Sequence, residues 1–208
     1  EMEDSFFAVI QTNTNHHPYV APEKFKKNYG FDENTNKFFS TFQYSDKVLG
    51  DFLDNYVKTE NGKNSLIIIT ADQGNGKKLV NTSRNKKISI LNQYQIPLLI
   101  LYPINYKIGR QEINTLGSQA DIMPTIMDIM NMEYNFPMFG KSLIREFKYR
   151  YAKGSIEGGW LLYDERFISM RHKKSSSDVF GNPLSVNKTD QEWTDLFNEI
   201  DNLQHWMV

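Results

Sequence analysis

Two short polar runs in this sequence hold the residue types that could do chemistry. His16 and His17 stand in TNTNHHPY, directly after the apolar run from Phe6 to Gln11, and Asp72 and Gln73 stand in ADQGNG, directly after SLIIIT. In open α/β sheets ligands bind outside the carboxyl ends of the strands, so polar residues at such exits carry more functional weight than polar residues elsewhere. A carboxylate at Asp72 could offer a hard oxygen to a divalent cation, and the adjacent Gln73 amide a neutral one, a donor set that suits Mg, Ca or Mn. A histidine on a neighbouring loop could bind the metal, move a proton or hydrogen-bond an anionic oxygen. Plainer readings stand beside these. An aspartate after a strand also forms turns or caps helices, and paired histidines in a loop also serve as polar surface.

The elements that must position these residues follow from hydrophobic spacing. Phe6 to Gln11 is a continuous apolar run with β-branched Val9 and Ile10, which predicts a strand buried on both faces. From about Asn36, residues Tyr44, Val48, Leu49, Phe52, Leu53, Tyr56 and Val57 recur at spacings of three and four, the stripe of a helix that Asn61 and Gly62 would stop. SLIIIT and IPLLILYP predict two further buried strands. In SQADIMPTIMDIMNM, Asp121 can cap a helix whose first turn tolerates Pro124. Strand, helix, strand, loop, strand, helix is the order of an α/β fold with a mainly parallel sheet flanked by helices. After Gly140 the character changes. GGWLLYDERFISMRH predicts a small antiparallel hairpin around Asp164 and Glu165, and TDQEWTDLFNEIDNL a terminal helix with a threonine cap. The division expected is residues 1–145 as the α/β portion and 146–208 as a small α+β appendage.

Composition narrows the classes. The 208 residues carry 24 Lys plus Arg against 25 Asp plus Glu, a formal net charge of −1, which argues against a generic nucleic-acid binder. With 39% hydrophobic and 13% aromatic residues the chain can bury a core. It has no cysteine, so disulfides, thiolate metal sites and cysteine nucleophiles are excluded. No stretch reaches the roughly 20 apolar residues of a membrane span, and the acidic start EMEDSFFAVI is unlike a signal peptide. Because a strand pattern begins within a few residues of Glu1, an upstream part is expected. From Gly76 to Arg110 the basic residues Lys77, Lys78, Arg84, Lys86, Lys87, Lys107 and Arg110 are met by no acid, a field that could draw an anionic substrate or merely mark a solvated loop. The acidic stretch from Ser175 onward reads as an exposed helix face.

The fragments FFAVIQTNTNHHPY, YSDKVLGDFLDNY, SLIIITADQGNG, IPLLILYP, SQADIMPTIMDIM and FGKSL, in that order over residues 6 to 143, resemble the sulfatase-like branch of the alkaline phosphatase superfamily. Within it they look most like the phosphoglycerol transferases of the lipoteichoic acid synthase type. The resemblance covers about two thirds of the chain and fades in the tail.

That resemblance implies an alkaline phosphatase-like fold of which this chain is the C-terminal portion. The strand ending in a T-A-D-H-G type turn would give the catalytic divalent metal an aspartate and a histidine, which carries over to Asp72 and Gln73, with an amide oxygen where the family has an imidazole. The N-H-x-P-Y turn would place His16 on the substrate's phosphate, while His17 falls on the variable position. Asp46, Asp121 and Pro124 match positions that look structural. The nucleophile would lie upstream of this chain, so no catalytic nucleophile is expected within it and the chain alone is expected to be inactive. The implied activity is that of a metal-dependent phosphoglycerol transferase, or of a phosphodiester or sulfate ester hydrolase. The implied partners are an anionic phosphate- or sulfate-ester substrate and the N-terminal half of the same protein, with no nucleic acid. Membrane attachment would come only through an upstream anchor, and the whole protein would be extracytoplasmic. A different class, favoured by Gln73, is a catalytically dead relative that binds anionic polymers or a protein partner.

Overall fold

The computed structural model describes residues 5–74, 94–138, 140–147, 150–154, 160–163, 166–169 and 176–178. The expected terminal helix and the basic residues Lys77, Lys78, Arg84, Lys86 and Lys87 lie outside the described residues. The chain divides into two units, residues 1–72 with 96–109, and residues 73–95 with 110–208. Among the described residues no helix is long and apolar enough to cross a membrane.

In the first unit, helix α1 runs Glu33–Tyr56, three residues earlier at its start than the apolar stripe alone indicates. Asp32 sets that start. Its Oδ1 accepts from the Thr35 amide at 3.0 Å and its Oδ2 from the Thr35 hydroxyl at 2.6 Å, satisfying a donor that the first helical turn leaves without an internal partner. These two bonds hold the Asp32 carboxyl below its ordinary pKa. Asp32→Ala is expected to lower the thermal midpoint and the helicity of the chain, and Asp32→Ser, which keeps an N-capping oxygen, to recover most of both by far-UV circular dichroism.

The N-terminal half of α1 is the more buried; in its C-terminal half Leu53 and Tyr56 are half-buried, and the Tyr56 hydroxyl lies 2.9 Å from Ser65 Oγ. Phe38, Ser40 and Thr41 are buried, and the segment before the helix folds over them. Tyr19 meets Phe38 edge-on at 5.6 Å, Phe25 meets Tyr44 at 5.1 Å, and Tyr29 and Phe31 lie 5.4 and 5.5 Å from Phe39. Further along, Val48, Leu49 and Phe52 of the stripe remain exposed. The helix ends at Tyr56. Asn61 and Gly62 fall inside a separate one-turn helix, α2, Glu60–Lys63, whose cap Thr59 accepts from the Gly62 amide at 3.0 Å.

Strands β1, Ile67–Thr70, and β2, Leu98–Leu101, are the SLIIIT and IPLLILYP segments, and they pair antiparallel in the register Ile67↔Leu101 to Thr70↔Leu98. This corrects the expected parallel arrangement for these two strands. Parallel neighbours need a long crossover, usually a helix, and the basic, polar sequence between these strands has no amphipathic pattern to form one. A second correction concerns Phe6 to Gln11, which is not a strand, with Phe7 85%, Val9 77% and Ile10 72% exposed. Its apolar pattern encodes burial that the first unit does not supply.

In the second unit, a 3-10 turn at Gln119–Asp121 leads into helix α3, Ile122–Ile129. Asp121 stands at the N-cap position of α3, but contrary to the expected capping role its side chain makes no cap bond to that helix and instead reaches backward as the third residue of a capping box with Ser118. It is 6% exposed, its Oδ2 accepts from the Ser118 amide at 2.7 Å, and its Oδ1 accepts from the Lys141 amide at 2.6 Å. Thr125, fully buried, donates to the Asp121 carbonyl and accepts from the Leu143 amide at 2.9 Å. The FGKSL segment is thus tied to the helix start by its own backbone. The buried Arg150 guanidinium then donates to the carbonyls of Lys141, Ser142 and Arg145. Four strands follow, β3 Tyr151–Gly154, β4 Trp160–Tyr163, β5 Arg166–Ser169 and β6 Ser176–Asp178, in an antiparallel meander. The predicted hairpin is the β4–β5 pair, closed at Tyr163↔Arg166.

Asp128 adds an acid-sensitive clasp to the same knot. It accepts from Arg145 Nε at 2.7 Å, from the other arm of that guanidinium, and from the Ser142 hydroxyl at 2.7 Å. The Arg145 hydrogen bond, then the Ser142 bond and the Arg145 charge, outweigh burial and hold its carboxyl below the usual value. The stabilisation is therefore complete above the unfolded carboxylate value near about 4 and is lost as pH falls through the lower folded value. In urea titrations the difference between wild type and Asp128→Asn should shrink as pH is taken from about 6 to about 3.

Candidate active site

The two candidate loops, the His16 turn and the Asp72–Gln73 exit, are each built on a separate support. The first is a compact turn. The His16 amide donates to the Asn13 carbonyl at 3.1 Å and the Tyr19 amide to the His16 carbonyl at 3.0 Å. The His17–Pro18 peptide is cis and Tyr19 has φ 60°. The turn is held to α1 at both ends: Ser45 Oγ donates to Asn15 Oδ1 at 3.1 Å, and the Tyr19 ring rests on Phe38.

His16 itself is exposed, and its Nδ1 lies 2.9 Å from the His17 carbonyl. A carbonyl oxygen can only accept, so Nδ1 carries the proton in that bond. The neutral ring then presents a lone pair at Nε2, and the protonated ring presents a second N–H there. Nε2 is thus the atom available to a ligand, as an acceptor for a hydroxyl proton or a donor to an anionic oxygen. His17 has a packing role, its ring edge-on to Tyr19 at 5.7 Å.

The second loop is the exit of β1. Thr70 Oγ1 donates to the Pro97 carbonyl at 3.0 Å, which clasps the end of β1 to the start of β2. Asp72 and Gln73 follow and are both exposed. Asp72 closes the continuous part of the first unit, and Gln73 opens the second. Their oxygens fit a hard divalent cation in donor type. Two such oxygens would be only part of the six or more donors such an ion takes, and among the described residues no group of three or more His, Cys, Asp and Glu side chains gathers.

Sequence reasoning passed over Ser45 and Asn15. Asn15 lies within the quoted turn motif, but its partner is thirty residues away on a helix whose legible signal is its apolar stripe, and no spacing rule links the two. Of the charged residues in the basic segment, Lys107 and Arg110 are described and exposed.

Comparison with known proteins completes the picture. The chain is 31% identical over 98 residues to a 2,3-bisphosphoglycerate-independent phosphoglycerate mutase from Antithamnion sp., covering 47% of this chain and 19% of that protein. A phosphoglycerate mutase of the same description from Clostridium kluyveri is 31% identical over 99 residues, 48% of this chain and 18% of its own length. Lipoteichoic acid synthase 1 of Bacillus subtilis is 28% identical over 142 residues, 64% of this chain and 22% of that protein. The chain spans about a fifth of the length of the curated relatives it matches. The motif resemblance named the synthase type and not the mutases. The model of the family described as Sulfatase matches residues 1–132, well over half of the chain, and the chain therefore belongs to the sulfatase family.

Proposed function

We propose that this chain is the portion of a sulfatase-type enzyme that grips the anionic group of a phosphate or sulfate ester and contributes ligands to a divalent cation. The observation that carries the reading is the His16 turn, whose Nδ1 is engaged by a backbone carbonyl so that Nε2 is left for a ligand. In its protonated form His16 donates from Nε2 to an oxygen of the transferring group and offsets the charge that grows there. Asp72 and Gln73 would hold the cation, which when bound acts as a Lewis acid on the ester oxygens and the attacking hydroxyl. We assign the nucleophile to residues outside these 208, so that the chain alone turns over no ester.

A phosphoglycerol-type transferase is preferred to a sulfate hydrolase because the N-H-x-P-Y arrangement around His16 resembles the transferase side. On the same ground we place the whole protein outside the cytoplasm, anchored through a segment that is not part of this chain. The exposed apolar residues of Phe6 to Gln11 and of the second half of α1 support a partner in the remainder of a sulfatase-type domain, which would cover them. Residues 1–145 would belong to that domain and 146–208 to an appendage.

Gln73 favours a second reading, a domain that keeps the fold and binds an anionic polymer or a protein without turnover. Mn binding to the chain, followed by electron paramagnetic resonance, separates the two. On the enzymatic reading the chain holds only part of the site and binds Mn weakly; Asp72→Ala weakens that binding further and Gln73→His tightens it on the order of tenfold. An unchanged affinity in both variants would remove Asp72 and Gln73 from any metal site.

A further inference from the structure

We infer that Ser45 of α1 is a positioning residue for His16, acting through the side-chain amide of Asn15. The inference rests on the role proposed for His16 and adds what holds that imidazole in place.

Serine within a helix ordinarily turns its hydroxyl back onto a carbonyl of the preceding turn. Two hydroxyls earlier in α1 do so: Ser40 donates to the Asn36 carbonyl at 2.8 Å, and Thr41 to the Phe38 carbonyl at 2.8 Å. Ser45 instead donates across a thirty-residue separation to Asn15 Oδ1. Asn15 immediately precedes His16. The backbone between Asn13 and Tyr19 is closed by its own two hydrogen bonds, and the His16 ring is bonded to the next residue's carbonyl. A tether on Asn15 is therefore transmitted to the imidazole with little slack.

The other end of the turn is fixed by the Tyr19–Phe38 contact, and Phe38 is part of the buried half of α1. The Ser45–Asn15 bond ties the His16 side of the same turn to the same helix. A functional loop carried on a rigid helix holds a side chain more closely than one supported only by itself.

The test uses the chain with its imidazole nitrogens labelled with nitrogen-15. Ring nitrogen shifts at a fixed neutral pH give the Nδ1–H and Nε2–H tautomer populations of His16, and inorganic phosphate titrated against the same signals gives an affinity. Ser45→Ala is expected to reduce the Nδ1–H population of the neutral ring; because the imidazolium that grips phosphate carries Nε2–H in either case, phosphate binding should weaken only through lost orientation of the ring, by about three- to tenfold, the range that one exposed hydrogen bond commands. Ser45→Thr should retain both. Asn15→Ala should reproduce Ser45→Ala, and the double variant should be no worse than either alone.

Far-UV circular dichroism confirms that each variant is folded. If Ser45→Ala fails to fold, Asn15→Ala and Ser45→Thr carry the comparison. A folded Ser45→Ala or Asn15→Ala chain with the tautomer ratio of wild type overturns the inference. Absence of phosphate binding in wild type would overturn the role proposed for His16, and the tautomer measurement would still decide whether Ser45 positions the ring.

Discussion

Gly140→Ala is expected to destabilise the second unit by about 3 kcal/mol, with a clear fall in its urea midpoint. A Cβ built on Gly140 would lie 1.9 Å from the Ala120 carbonyl oxygen, 2.3 Å from the carbonyl carbon and 2.7 Å from Asp121 Cα. All three are backbone atoms, so no side chain can swing aside, and relief requires the 140–143 segment to move away from the start of α3. Overpacking of this kind costs roughly 1–3 kcal/mol on its own. The movement also pulls the Lys141 amide off the buried Asp121 carboxylate and the Leu143 amide off Thr125, and a buried donor left without its acceptor adds about 1–3 kcal/mol.

Asp121→Ala attacks the same joint from the other side by leaving the Ser118 and Lys141 amides unsatisfied. Its effect should be comparable, and the double variant should fall well short of the sum, because each change has already broken the contacts the other would remove. Hydrogen exchange provides the local reading. The Lys141 and Leu143 amides should lose protection in both variants, whereas the amides of β1 and β2 should not. A Gly140→Ala chain that unfolds with wild type would show that the close approach of residues 120 and 140 is not needed for stability.

The contrast between this joint and the rest of the molecule shows what a single sequence can and cannot reveal. Local patterns were readable: the α1 stripe, the two aliphatic runs, the helix start at Asp121 and the β4–β5 hairpin each follow from spacing or turn chemistry within a short window. Asp32 moved the start of α1 back to Glu33 because a cap is one residue, outside the periodic stripe. Strand direction was not readable. A run that is apolar on both faces looks the same whichever way its neighbour points, so β1 and β2 could be found without their antiparallel pairing.

Phe6 to Gln11 is the sharper case. Its continuous apolar run reads as a buried strand, yet Phe7, Val9 and Ile10 are exposed and the segment joins no sheet. The Asp121–Lys141, Thr125–Leu143 and Arg150 contacts were silent for a further reason. They join backbone groups to polar side chains far along the chain, and FGKSL signals none of that by itself. For the candidate site, strand-exit position and family resemblance single out the residues and their loops, whereas the supports under them, Ser45 beneath Asn15 and Thr70 beneath the β1 exit, carry no signal in the sequence.

On the function proposed above, His16→Ala in the complete sulfatase-type protein should lower kcat/KM for its ester substrate by about 10²–10³-fold, the loss typical of one preorganised donor to a developing oxyanion. The fall should appear mainly in kcat, because a donor aimed at growing charge contributes more in the transition state than in the bound ester. His17→Ala is the internal control. Its side chain packs on Tyr19 while its backbone carbonyl, which the substitution leaves in place, is what receives His16 Nδ1. That variant should stay within a few-fold of wild type. Equal losses in the two would mean that the turn matters as a folded unit and not through an imidazole at position 16. A large loss confined to His16→Ala, with Mn affinity unchanged, would assign His16 to the ester's anionic group and leave the cation to Asp72 and Gln73. A loss of Mn binding in the same variant would instead put His16 among the metal ligands, because an imidazole that grips only the substrate leaves the cation's own donors untouched.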